Sequence, residues 1–161
     1  MDIRKATQQD HEKMKYIWSE CISTTCYFLT TGEIKKLEKE FEEKFLKDPK
    51  LDYYTLWLGD EFVGFACVRG KEILFSPINP LYFGKGYGEI MIAYLLENHK
   101  IERTYVYCSD MHSLAFYSSM GFEIEDRIPD IFFGNSYELN KLKLGIPQEE
   151  ALKLVKSKIS S

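Results

Sequence analysis

Between an apolar strand pattern, Ile73-Leu74-Phe75, and a helical one running Ile90 to Leu96, the chain places Phe83-Gly84-Lys85-Gly86-Tyr87-Gly88-Glu89. Strand, glycine-rich turn and helix start in that order build an anion site. Glycine removes the side chains that would hold an anion off the backbone. The first N–H groups of a helix lack partners within it and sit at the positive end of its dipole. A diphosphate is the natural ligand of such a place. Because Gly84, Gly86 and Gly88 alternate, the run is neither a G-x-G-x-x-G dinucleotide fingerprint nor a P-loop, which needs Gly-Lys-Ser/Thr.

The surrounding chain narrows the fold. At 161 residues it is one domain by length. Ile3 to Ala6 reads as a first strand. Thr7 and Asp10 begin a helix that carries Met14, Ile17, Trp18 and Cys21, and Ser23 to Gly32 reads as a loop with some helix. A charged helix is expected from about Glu33 to Lys47, with Ile34, Leu37, Phe41 and Phe45 as its apolar stripe. Strands follow at 54–58, 62–68 and 72–78, with a bulge or end of pairing at Ser76-Pro77 because proline cannot donate to a ladder. Beyond the glycine run come a helix over 86–98 and a strand over 103–108. A short helix over 113–120, ended by Gly121, precedes strands at 122–125 and 137–142 and a last amphipathic helix over 148–158. This pattern is that of an α/β domain with a mixed, mostly antiparallel sheet.

Composition excludes several functions. Net charge is −4 and no basic stripe occurs, which argues against nucleic acid. No run approaches the roughly 18 apolar residues of a membrane span, and no apolar leader opens the chain, so a cytoplasmic protein is expected. Cys21, Cys26, Cys67 and Cys108 form no C-x-x-C pair and do not cluster with His11, His99 or His112; reduced thiols and no metal are expected. Aromatic residues reach 15%, enough to fill a core and to line a cleft besides.

The order Ile78-Asn79-Pro80, Gly84-Lys85-Gly86-Tyr87-Gly88, helix, strand and Ala115-Phe116-Tyr117-Ser118-Ser119-Met120-Gly121-Phe122 resembles the GNAT superfamily of acyl-CoA-dependent N-acyltransferases. The opening Ile3-Arg4-x-Ala6-Thr7 with Asp10 is similar to that family's start, and the likeness spans roughly residues 2–144. It implies one domain over 1–145 with helices on both faces of the sheet, and a helical extension over 146–161 packed on it. It implies an acetyltransferase that moves acetyl from acetyl-CoA to a primary amine of a small molecule or peptide. Cofactor contacts fall to Ser76, Ile78, Phe83, Gly84, Lys85, Gly86, Tyr87, Gly88, Glu89, Asp110, Ser113 and Tyr117. Tyr117 corresponds to the general acid that protonates the departing thiolate, and Glu72 to the glutamate base of histone-acetylating members, with His112 or a water chain as other bases. The acceptor wall would be Trp18, Tyr27, Phe28, Phe132 and Phe133, or these rings are core. Phe83 stands where the family usually has Arg or Gln, and Asp110 near where many members carry Asn. These departures support an alternative, an acyl-CoA-binding or interaction module without turnover. The final helix would supply packing or a homodimer surface.

Overall fold

The computed structural model describes residues 1–159. Seven strands form one sheet in the order β1-β2-β3-β4-β5-β7-β6, with ranges Asp2–Lys5, Asp52–Leu58, Glu61–Arg69, Glu72–Phe75, Arg103–Tyr107, Phe122–Ile128 and Leu139–Leu144 for β1 to β7. Every neighbouring pair is antiparallel except β4 and β5. The mixed, mostly antiparallel α/β architecture expected from the strand and helix pattern is therefore present. Five α-helices cover the sheet: α1 His11–Thr25, α2 Thr31–Glu40, α3 Tyr87–His99, α4 Met111–Ser118 and α5 Gln148–Ile159. Ser160 and Ser161, the end of the expected 146–161 extension, lie outside the described residues.

The central strands send alternate residues to two cores. In β3, Ala66 and Val68 pack with Met91, Ile92, Leu95 and Leu96 of α3 and Val155 of α5. Phe65 and Cys67 of the same strand face the other way, onto Trp18 of α1 and Leu37 of α2. The Thr30 hydroxyl accepts from Glu33 N at 3.1 Å, and the Glu33 carboxylate accepts from Thr30 N at 2.9 Å. That reciprocal cap starts α2 two residues before the expected Glu33. The end of this helix winds as a π turn over Phe41–Phe45 and buries both rings. Helix α1 runs to Thr25, within the segment expected as a loop with some helix, and Cys26 N closes its last turn on Ile22 O at 2.9 Å.

Two strand expectations are adjusted. Of the bulge or end of pairing expected at Ser76-Pro77, the second is present, since β4 ends at Phe75, while the bulge lies earlier: Phe75 pairs with Cys67 and Ile73 with Val68, leaving Leu74 as the extra residue. The last strand spans Leu139–Leu144, two residues later than expected, because Asn135 Oδ1 accepts from Tyr137 N at 3.0 Å and holds the approach in a turn.

Beyond Ile73 the chain leaves β5 and stays on β3. Phe65 N donates to Pro77 O at 3.1 Å and Asn79 N to Val63 O at 2.8 Å. Gly64 allows this approach: a Cβ there would sit 2.7 Å from Pro77 O and 2.6 Å from Ile78 Cδ1. Gly64→Ala should cost about 1–3 kcal/mol through overpacking, read as a fall in the urea midpoint at unchanged slope.

Candidate active site

Strands β4 and β5 share two rungs, Glu72 with Arg103 and Ile73 with Thr104. At the last rung the Thr104 hydroxyl donates to Ile73 O at 3.1 Å. Above it β5 continues along β7, pairing Val106 with Asn140, while residues 77–79 follow β3. The strands part, and a cleft of about 310 Å³ opens between them.

One wall is the glycine run. Gly84 and Gly86 adopt φ of +76° and +87°, a region that side-chain-bearing residues avoid, and nothing lies within 4 Å of where their Cβ atoms would be. The conformation demands glycine there, and the space left open admits a ligand against the backbone. In α3 the first amide bonded to the preceding turn is Ile90 N, to Gly86 O at 3.1 Å. The amides of Tyr87, Gly88 and Glu89 fall in the unsatisfied first turn. Gly88 has a different role: a Cβ would meet the Phe116 ring at 3.0 Å, so it sets how closely α3 and α4 approach. Ser76 Oγ is buried with no hydrogen-bond partner among the described residues, and Ser76 lines the cleft. An open glycine cradle, free helix-start amides and an orphaned hydroxyl fit a diphosphate joined to an amide-bearing arm.

Of the expected cofactor residues, Ser76, Ile78, Phe83, Gly84, Gly86, Tyr87, Gly88, Glu89, Asp110, Ser113 and Tyr117 line this cleft. Lys85 does not; it is exposed, with its ammonium 5.8 Å from the centre of the Tyr82 ring. Phe83 stacks on His112, with centroids 5.8 Å apart. Asp110 has a structural reason to be acidic. It caps α4, accepting from Ser113 N at 3.0 Å and from the Ser113 hydroxyl at 2.7 Å.

Tyr117 projects from α4 into the cleft, 6% exposed and packed on Phe122. Burial pushes its phenol up to about 12, with the Thr104 hydroxyl opposing. It is therefore protonated at neutral pH. The Cys21 thiol, which also borders the cleft, is pushed up to about 11, mainly by burial. It stays a thiol as well, and all four cysteines are free.

The facing wall is aromatic. Trp18, Phe132 and Phe133 line it; Trp18 stacks on Phe41 at 4.9 Å. Tyr27 and Phe28 do not line it. Tyr27 is 79% exposed at a separate groove beside Met111, and Phe28 packs against Tyr107 and Tyr137 behind the wall. Glu72 also lies off the cleft: its Oε1 pairs with Arg69 at 3.0 Å, and its Oε2 accepts from the Tyr105 hydroxyl at 2.8 Å.

The residues missed by sequence reasoning are Tyr105, Tyr107 and Asp130, all of which line the cleft. Their signals were present. Tyr105-Val106-Tyr107 alternates, so both phenols share a face. Asp130 precedes the aromatic loop it organises: Oδ1 accepts from Phe132 N and Phe133 N, each at 3.0 Å, and Oδ2 from the Tyr107 hydroxyl at 2.9 Å. Asn135 Nδ2 donates to the same phenol oxygen at 3.0 Å. Burial, reinforced by Asp130, pushes the Tyr107 phenol well above its ordinary range.

The sequence profile of the acetyltransferase (GNAT) family matches residues 13–122. The chain belongs to that family. The N-acetyltransferase expected from the sequence motifs is thus its enzyme class. Its sequence is 28% identical over 142 residues to the peptidyl-lysine N-acetyltransferase YjaB of Salmonella typhimurium, covering 88% of this chain and 97% of that one. The solution structure of apo YjaB from Escherichia coli superposes with a TM-score of 0.77 at 24% identity, covering 89% of this chain and 96% of that one. A Vibrio cholerae spermidine N-acetyltransferase in complex with CoA and spermine shares the fold with a TM-score of 0.62 at 17% identity, over 94% and 97% of the two chains. Among the described residues no cluster of His, Cys, Asp and Glu suits a metal, and no helix is long and apolar enough to cross a membrane.

Tyr117 ties alkaline stability to the site. Its phenol ionises near 10 in the unfolded chain and at about 12 when folded. The unfolded state loses its proton first, so stability present below pH 10 is withdrawn as pH rises toward 12. Tyr117→Phe lacks this loss. Between pH 9 and pH 11 the stability difference should move toward the variant by about 1.3 kcal/mol, measured by urea titrations of both proteins.

Proposed function

We propose that this protein transfers an acetyl group from acetyl-CoA to a primary amine, of a small molecule or a peptide, in the cytoplasm. The observation that carries the reading is the convergence of the glycine cradle, the parted strands and the buried Tyr117 on one cleft. The peptide-lysine activity in the names of the YjaB relatives favours a peptide lysine among those amines.

Acetyl-CoA brings an activated acetyl carbonyl and a thiolate leaving group. In this reading the backbone amides from Gly84 to Glu89 hold its diphosphate. Ser76 and Ile78 offer main-chain groups along the gap, and the Ser76 hydroxyl offers a further one. Tyr117, protonated at neutral pH, gives its proton to the departing sulfur. The aromatic wall of Trp18, Phe132 and Phe133 packs on the acceptor and excludes water. Phe83 leaves diphosphate binding to the backbone.

Thiol release should follow mixing of acetyl-CoA, enzyme and a panel of primary amines that includes lysine peptides and polyamines. Tyr117→Phe should lower kcat by about 10²-fold or more while calorimetry gives an acetyl-CoA Kd within about twofold of wild type. The module reading, favoured by Phe83, instead gives heat on adding acetyl-CoA and no thiol with any amine.

A further inference from the structure

We infer that Tyr105 is a catalytic residue that takes the acceptor's proton and relays it to Glu72, and that the acceptor is a strongly basic alkyl ammonium. This rests on the acetyl-transfer reading of the same cleft. Tyr105 is the first β5 residue above the last rung shared with β4, at the crotch where the strands part. It lines the cleft, and Phe132 packs edge-on against its ring at 5.0 Å. Its hydroxyl donates to Glu72 Oε2 at 2.8 Å. A phenol whose proton is committed to a carboxylate keeps its oxygen lone pairs free to accept, which is what an N–H proton needs. The phenol itself is pushed up to about 12, first by burial and then by Glu72.

The charges around the pair leave the carboxylate as the acceptor. Arg69 of β3 holds the other oxygen, Oε1, at 3.0 Å. Arg103 of β5 is engaged by Glu125 at 3.0 Å. Lys141, cross-strand from Tyr105 on β7, is paired with Glu125 at 3.9 Å. No other carboxylate hydrogen-bonds the Tyr105 hydroxyl among the described residues. Glu72 is half-buried at the start of β4 and can release a proton to water.

The step balances. One N–H bond of the ammonium breaks, its proton passing to the Tyr105 oxygen as the phenol proton passes to Glu72. The freed lone pair forms the C–N bond and the C–S bond breaks. Tyr117 protonates the sulfur and recovers a proton as the new amide nitrogen loses its second one, and Glu72 returns the first to solvent. An amine that is already neutral at pH 7 does not need this relay. An alkyl ammonium such as a lysine ε-amine, ordinarily near 10.4, does.

The test compares wild type, Tyr105→Phe, Glu72→Gln and the double variant on one lysine peptide, with kcat/KM from pH 6.5 to 10. Tyr105→Phe keeps the ring that packs on Phe132. Each single variant should lose about 10²-fold at pH 7, and the double variant no more than either single one. The deficit should shrink as pH approaches 10 and the amine deprotonates unaided, while calorimetry gives an unchanged acetyl-CoA Kd. Full activity at pH 7, a deficit constant across pH, or losses that multiply in the double variant would each overturn the relay alone. A wild type that releases no thiol with any amine overturns the acetyl-transfer reading and the relay with it.

Discussion

The separation of β4 from β5 is the constraint on which the rest depends. A parallel pair in an ordinary α/β sheet keeps its hydrogen bonds along its length, and no ligand could enter between the strands. Here the pairing stops after Ile73 and Thr104. On their β3 side the released residues stay satisfied, because Pro77 O and Asn79 N find partners there, and Gly64 leaves room for them to do so. The opening thus keeps the segment bonded on its β3 side and leaves open the side that faced β5, where Ser76 and Ile78 line the cleft. Leu74, the bulged residue, lies where the pairing with β5 stops and gives the strand its added twist.

The two cores divide the work. On one face, aliphatic side chains of α3 and α5 pack Leu95, Leu96 and Val155 against the sheet and hold the helix that begins at the glycine run. On the other, aromatic rings of α1, α2 and the loop after Asp130 form a wall that is both core and cleft lining. The high aromatic content is explained by that second face. Rings this size bury large areas but leave polar rims, and three phenols on this side each donate to a carboxylate: Tyr105 to Glu72, Tyr107 to Asp130 and Tyr137 to Glu33.

Much of this was legible in the sequence because it follows from local rules. The glycine run, the alternation in β3, the stripe of α2 and the Tyr117 segment each declare themselves within a dozen residues. What was not legible depends on contacts distant along the chain. Nothing near Glu72 indicates that Tyr105, 33 residues later, would stand between it and the cleft. Asp110, expected among the cofactor contacts, lines the cleft and also caps α4, and the capping role requires knowing that α4 begins at Met111. Tyr27 and Phe28 looked like wall residues, yet α1 extends to Thr25 and the turn after it points one ring outward and the other behind the wall. The Leu74 bulge depends on the register against Cys67 and Val68, which strand propensity alone does not determine.

The most direct test of the parted strands as the cofactor's seat is a backbone amide NMR titration with CoA. The account predicts that the largest shifts fall on Ser76, Ile78 and Gly84 to Ile90, with smaller ones at Val106 and Tyr107 and none along β6 or α5. Shifts confined to another face, or none at saturating CoA in folded protein, would contradict it.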